Sequence, residues 1–431
     1  MLREIVFRQI IAFIASSNAL IGNLLNFRET TTVDMLQQFG YPVETHQVNT
    51  EDGYELTLHR IPYGKSAEGK TPAKKPILLV HGLLCSSADW IVTGEHSLGL
   101  QLANAGYDVW MGNNRGNTYS RKHKKLSPDS DGESFFSFSF HEFGKYDAPA
   151  MIEYVLKNTN TSKIPYVGYS QGTTQFFVMM SERPEYNDKI SSMVSWAPVT
   201  EMSQTNNKLI NLLRDVPVLE KIGDTIRWNA VLQHEKIGNL YKGLCKLSDT
   251  ACSLVFRLLG QSLQRMPNIA MKQKILSNFP AGTCKKELLH YVQGARDGIF
   301  RPYDYGMKQN LKVYGKLSPD PYNLSKVRCN MTLFYGDADD LVNNDKLLNY
   351  VIPELTNANV ETVPLALEFN HLDFIWGKHV QYLNEKTLEV LKHDSANRDE
   401  VTDELIKIDT GTPSISTEEI RVEHTTEEEI Y

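Results

Sequence analysis

The chain has no uninterrupted apolar run approaching the roughly 20 residues needed to cross a bilayer, so no transmembrane segment is expected in its 431 residues. Cysteine is scarce. The five present are Cys85, Cys245, Cys252, Cys284 and Cys329, too few for a fold built from disulfides, and no Cys/His spacing suits zinc. A basic excess is also missing. The formal net charge is −7, but residues 397–431 hold eleven acids against three bases, so that segment carries −8 and the remainder +1. A nearly neutral body excludes an electrostatic attraction to nucleic acid. What remains is ordinary globular composition, 41% hydrophobic and 23% charged, in a chain long enough for one large core and a subdomain.

The most informative stretch is Ile164 to Gln175, a short apolar run that breaks into Gly168-Tyr169-Ser170-Gln171-Gly172 and continues as Phe176-Phe177-Val178-Met179-Met180. That pattern reads as strand, tight turn, helix. A Gly-x-Ser-x-Gly turn holds its serine at a strained backbone position, and glycines flank it because side chains there collide with the neighbouring strand and helix. Ser170 is therefore the candidate nucleophile.

A hydroxyl at neutral pH needs a histidine to take its proton and a carboxylate to orient that histidine. Along a chain built on this turn they follow in the order Ser, acid, His. The apolar run Met331 to Tyr335 ends at Gly336 and leads into Asp337, Asp339 and Asp340, and Asn370-His371-Leu372-Asp373-Phe374 stands ahead of a helical pattern. His371 is the candidate base. The spacing Gly336-x-x-Asp339 favours Asp339 as the acid, with Asp340 as the alternative and the remaining acids as solvated turn residues. Acyl transfer also needs fixed donors for the developing oxyanion. The amide of Gln171, directly after the nucleophile, is one candidate, and that of Leu83, in the His81-Gly82-Leu83 exit from an early strand, is the other. This chemistry calls for no cofactor and no metal.

In chain order, residues 43–62 alternate around Asp52-Gly53 as a β-hairpin does. Ile77–Val80 and Tyr107–Trp110 are unbroken apolar runs of the kind buried on both faces. The basic run Arg121–Lys125 reads as a solvated loop. Tyr146–Leu156 reads as a helix, with Asp147 as its cap and Pro149 in its first turn. Strand and helix alternate from 77 to 199, which predicts an α/β fold, a mostly parallel sheet covered by helices. Residues 200–310 have helical periodicity, and Leu254, Val255, Phe256, Leu258, Leu259, Phe279 and Phe300 there are either lipid-facing or ordinary helix packing. The sheet resumes at 331 and a helix over 372–392 closes it. The acidic Ser/Thr-rich segment 396–431 has too little apolar content to fold.

The first nineteen residues place Arg3 and Arg8 before an apolar core and a Ser17-x-Ala19 pair, the pattern of a secretory signal peptide or, alternatively, of an uncleaved amphipathic leader. Asn160, Asn323 and Asn330 head glycosylation sequons, which matter only on export, and Asn330 is the least favourable because it abuts a strand. Cys245 and Cys252 are close enough to bridge a short loop, the alternative being two buried thiols.

The chain resembles the acid lipases, the group containing gastric and lysosomal acid lipase. The resemblance covers about residues 30–392 through long motifs in order: Leu79–Leu84, Asp89-Trp90, Asn104–Thr118, Tyr146-Asp147-x-Pro149-Ala150, the Ser170 elbow, Pro280–Thr283, Tyr303–Gly306 and Asn370–Trp376. It implies an α/β-hydrolase with helices on both faces of the sheet and a helical cap over 200–310 between core segments 30–199 and 311–395. It also implies a secreted or lysosomal enzyme hydrolysing neutral lipid esters, triacylglycerol or cholesteryl ester, at a lipid–water interface. Carried over by motif, Ser170, His371 and Asp339 match the family's triad, and Leu83 and Gln171 its oxyanion donors. The chain departs in having Tyr169 where the family usually has histidine, in a longer interval from Asp339 to His371, and in its acidic tail. The rival readings are an esterase for short soluble esters and a non-catalytic lipid carrier on the same fold.

Overall fold

The computed structural model describes residues 30–65, 75–200, 202, 203, 205–207, 211, 229–232, 250, 253, 269–366 and 368–409, with 395–409 by their backbone alone. Its strands are β1 (Glu44–Asn49), β2 (Tyr54–Ile61), β3 (Lys75–Val80), β4 (Tyr107–Gly112), β5 (Lys122–His123), β6 (Ile164–Tyr169), β7 (Ile190–Trp196), β8 (Ala230–Val231), β9 (Thr283–Cys284), β10 (Asn330–Gly336) and β11 (Asn359–Leu365). The main sheet runs β1-β2-β4-β3-β6-β7-β10-β11, while β8 and β9 form a separate antiparallel ribbon. The expected hairpin is β1–β2, antiparallel like β2–β4. From β4 through β11 neighbouring strands are parallel, and β4 and β6 are buried along their whole length, as two-sided coverage requires. The basic segment 121–125 is not wholly loop, because Lys122 and His123 pair with Glu55 and Tyr54.

Chain order and spatial order diverge at β3. The chain crosses from β3 to β4 on one side and returns past β3 to β6 on the other. At such a reversal the connections leave in opposite directions and open a crevice beyond the carboxyl ends of the strands. Val80 and Tyr169 end β3 and β6 there, so His81-Gly82-Leu83 and Ser170 emerge side by side.

The helix after β6, Gln171–Glu182, is buried through Ser181. Its continuous apolar run suits an interior helix rather than an amphipathic one. Trp90, Trp110, Trp196 and Trp376 are each less than 2% exposed or at that limit, and so is Arg115. Here the helix expectation needs correcting. Asp147 does not cap the helix Ala148–Thr159; it lies in a π-turn, Phe143–Asp147, and makes no capping bond. Its carboxylate instead accepts from the Arg115 backbone N–H (3.0 Å) and Nε (2.8 Å). Arg115 also reaches Asp52 in the hairpin turn (2.8 Å) and stacks over Tyr54 (4.0 Å). A buried guanidinium keeps its charge only with such partners.

The helix expected over 372–392 is two helices, Asp373–Trp376 and Val380–Asp409, so residues 396–409, expected as unfolded tail, are helical. The chain divides into two units at Leu388 and Glu389. Phe279 packs edge-on against Trp376, and Phe300 against Phe140 and Tyr322, which is core packing. Residues 254–259, the 1–19 leader and the Cys245/Cys252 pair lie outside the described residues; Cys85, Cys284 and Cys329 are buried free thiols. No helix among the described residues is long and apolar enough to cross a membrane.

Candidate active site

Ser170 sits at the junction of β6 and the following helix with φ 52° and ψ −114°. That backbone is strained for a residue with a Cβ. It is held by Ser170 N–H donating to Trp196 O (2.9 Å), and by Thr173 N–H (2.8 Å) and Thr173 Oγ1 (2.6 Å) donating to Ser170 O. The flanking glycines are required by close approach. A Cβ on Gly172 would stand 2.2 Å from Val80 O, and one on Gly168 would stand 2.8 Å from the Gly172 backbone.

The three residues that the sequence separates by 201 positions meet. His371 Nε2 lies 2.8 Å from Ser170 Oγ, and His371 Nδ1 lies 2.8 Å from Asp339 Oδ2. Asp339 comes from the loop after β10, where its Oδ1 also accepts the Leu341 (2.9 Å) and Val342 (3.2 Å) amides. With Asp339 an acceptor toward Nδ1, the imidazole carries its proton there and Nε2 is free to accept from the serine hydroxyl. All three side chains are buried, at 5–8% exposure. Asp340, the alternative acid, is occupied elsewhere: its Oδ2 accepts from Asn207 Nδ2 (3.1 Å) and its carbonyl from Thr205 Oγ1 (2.7 Å). It is half-buried, and burial raises its pKa. Asp337 is exposed and accepts the Glu368 amide (3.2 Å).

The two oxyanion candidates are backbone donors. Among the described residues neither the Leu83 nor the Gln171 N–H donates to a protein acceptor. Gln171 begins a twelve-residue helix, so its amide lies at the positive end of the helix dipole. The Leu83 amide is aimed through its own peptide. Gly82 O accepts from His81 Nδ1 (2.8 Å) and Cys85 N–H (3.2 Å), and in a trans peptide the N–H points the opposite way. His81 is itself held in place. Its Nε2 accepts from the Asn114 amide and Asn117 Nδ2, both at 3.2 Å, so Nδ1 is the protonated nitrogen. Burial lowers its pKa to about 4, which keeps it neutral. A Cβ on Gly82 would stand 3.2 Å from Ser170 Cβ, so this peptide borders the nucleophile.

Several supports escaped sequence reasoning. Leu84 has φ 62°, and its carbonyl accepts the Ala281 amide (2.7 Å), so the Pro280–Thr283 motif braces the oxyanion loop. Asp89 accepts from the Ser86 amide (2.8 Å) in that loop and from Trp376 Nε1 (3.1 Å) in the helix after His371, and burial raises its pKa to about 6. Asp89-Trp90 and Trp376 stood out as motif pieces, but nothing in their spacing indicated that they touch. Among the described residues no cluster of His, Cys, Asp and Glu could hold a metal.

Chemically, the arrangement offers a hydroxyl with a proton acceptor in contact and two fixed N–H donors beside it, the requirements of acyl transfer to serine. Comparison with known proteins agrees. Residues 75–377 match the model of the alpha/beta hydrolase fold and residues 32–94 that of a partial alpha/beta-hydrolase lipase region. Lipase 1 of Drosophila melanogaster is 38% identical over 84% of this chain and 80% of its own length. Human gastric triacylglycerol lipase is 35% identical over 85% of this chain and 92% of its own, and human lipase member K 36% over 80% and 86%. With that identity spread across the core that carries the site, the chain belongs to the acid lipase family of α/β-hydrolases and is a carboxylic ester hydrolase.

Proposed function

We propose that this hydrolase is a lipase acting on neutral lipid esters, triacylglycerol or cholesteryl ester, through a Ser170 acyl-enzyme. The observation that carries the reading is the continuous hydrogen-bond path from Ser170 through His371 to Asp339 beside two amides that donate to no protein acceptor among the described residues. Ser170 Oγ attacks the ester carbonyl while His371 Nε2 takes its proton, and Leu83 and Gln171 N–H receive the oxyanion. His371 returns the proton to the leaving alcohol. Water then attacks the acyl-serine with His371 again as base, releasing the fatty acid. Asp339 holds the neutral imidazole in the required tautomer and stabilises the imidazolium that forms in each step.

The lipid assignment draws on the relatives, one named for triacylglycerol, and on surface chemistry. Tyr305, Met307, Leu311, Val313 and Leu317 are exposed at 37–70% within a short segment that also carries exposed Lys308 and Lys312, a surface suited to a lipid–water interface. The same reading places the enzyme in a secreted or lysosomal setting, with a signal peptide over 1–19, a cap over 200–310 and an acidic tail beyond 396. The sequon residues Asn160, Asn323 and Asn330 are all exposed, Asn330 within the paired strand β10. The test is hydrolysis of emulsified triacylglycerol and cholesteryl ester beside a soluble short-chain ester, for wild type and Ser170→Ala. Long-chain turnover abolished in the variant is expected. Turnover confined to the short ester would overturn the lipid assignment, and turnover surviving in Ser170→Ala the acyl-enzyme.

A further inference from the structure

We infer that Tyr169 is a positioning residue for the catalytic histidine, clamping the backbone of the loop that carries it. The inference rests on the assignment of His371 as base and adds a group that touches no reacting atom. His371 lies in the irregular stretch between β11 and the helix Asp373–Trp376, where no ladder or helical bond defines its backbone. A base on such a segment holds its ring only as well as its main chain is held. Asp339 and Ser170 grip the two ring nitrogens at 2.8 Å each, and the flanking backbone is tied by Asn370 Oδ1, which accepts the Leu372 (3.0 Å) and Asp373 (3.1 Å) amides, and by Asp373 Oδ2, which accepts the Asn370 amide (2.9 Å). The His371 carbonyl itself is held from the end of β6. Tyr169 Oη donates to His371 O at 2.9 Å, and its ring lies 5.5 Å from the imidazole with a 38° tilt.

Three features make this bond more than incidental. Tyr169 is the last residue of β6, paired in register with Trp196 of β7, so its own backbone is rigid and directly precedes the nucleophile. The side chain is 2% exposed, and burial raises the phenol's pKa well above its ordinary value, so it stays a neutral donor. The ring also lies against Gly82, where a Cβ would meet Tyr169 Cδ1 and Cε1 at 2.8 Å. One side chain therefore adjoins the nucleophile, abuts the oxyanion loop and fixes the base. Because its hydroxyl is committed to a backbone carbonyl, losing it disturbs the alignment of the base rather than the binding of substrate.

The experiment compares wild type, Ser170→Ala, Tyr169→Phe and Tyr169→4-aminophenylalanine, whose aniline N–H restores a donor at the same reach. Hydrolysis of a soluble p-nitrophenyl ester is normalised to folded sites by stoichiometric phosphonate titration for the proteins that keep Ser170, and to folded protein by circular dichroism for Ser170→Ala. Tyr169→Phe is expected to lower kcat about tenfold, the effect of leaving one buried carbonyl unsatisfied beside the base, with KM within about twofold. 4-Aminophenylalanine is expected to recover most of the loss. An unchanged kcat per titrated site in Tyr169→Phe, even with a lowered melting temperature, would overturn the positioning role and leave a purely structural one. So would a loss confined to KM, or one that the aniline does not restore. A wild type with no turnover, or a fully active Ser170→Ala, would instead sink the acyl-enzyme reading, which separates the two failures.

Discussion

Neighbouring acids of the same type can have opposite environments, and Asp339 and Asp340 illustrate this. Asp339 accepts His371 Nδ1–H and two amides, whereas Asp340 accepts from Asn207 and lies outside the path to Ser170. Replacing the first should misplace or neutralise the imidazole tautomer; replacing the second should leave it alone. Asp339→Asn is therefore expected to lower kcat by about three orders of magnitude with KM little changed. Asp340→Asn should stay within about threefold of wild type, because Asn207 can still pair with an amide oxygen. Steady-state kinetics on one soluble ester decide between them, and a larger loss at Asp340 would reverse the assignment. The sequence narrowed the acid to this cluster through the strand that delivers it. Choosing between adjacent residues needed the turn geometry, since successive side chains of a tight turn point in unrelated directions.

At the scale of elements, the strand–turn–helix around Ser170 was legible because its determinants are local. An apolar run, two glycines and a second apolar run leave the backbone few options. Gly172 is the most exacting position, with Val80 O 2.2 Å from where a Cβ would stand. Gly172→Ala must push β3 and the helix Gln171–Glu182 apart, at a cost of about 3 kcal/mol, together with loss of activity as Ser170 shifts. Gly294, inside the helix Lys285–Asp297 with nothing within 4 Å of its Cβ position, is the control. Gly294→Ala should stabilise by about 0.5–1 kcal/mol. Urea unfolding midpoints measure both, and equal responses would contradict the steric account. The helix at 148 was legible in extent but not in its start. Asp147 and Pro149 look like a standard helix opening, and only the distant Arg115 reveals that the carboxylate is engaged elsewhere.

For the molecule as a whole, pH dependence turns on buried carboxyls that the mechanism does not use. Glu287 is fully buried near Asp147 and Glu142, its Oε2 accepts from Thr283 Oγ1, and its Oε1 has no hydrogen-bond partner among the described residues. Burial, reinforced by those acids, raises its pKa from 4.5 to about 8. The folded state therefore holds a proton that the unfolded chain releases above its ordinary pKa. The stability this contributes is full below about pH 4.5 and declines as pH rises through about 8, by up to roughly 3–5 kcal/mol. Glu287→Gln, an uncharged near-isostere, should flatten that part of the profile. Unfolding midpoints at acidic and mildly alkaline pH compare the two proteins, and parallel profiles would rule out Glu287 as the source.

Local pattern was enough for the parts that depend on near neighbours: the alternation that builds a parallel sheet, the elbow at Ser170, the chain order of Ser170, Asp339 and His371, and the family motifs. These rest on backbone propensity and on hydrophobic period, both of which act over a few residues. Tertiary structure alone decided which groups meet across long intervals. It set Asp339 rather than Asp340 on His371 Nδ1, held His81 between Gly82 and the asparagines, bridged Asp89 to Trp376, and set the Tyr169 hydroxyl on the carbonyl of His371. Hydrogen bonds have directions set by backbones that are far apart in sequence, and a linear pattern carries no information on those directions until the sheet has brought them into register.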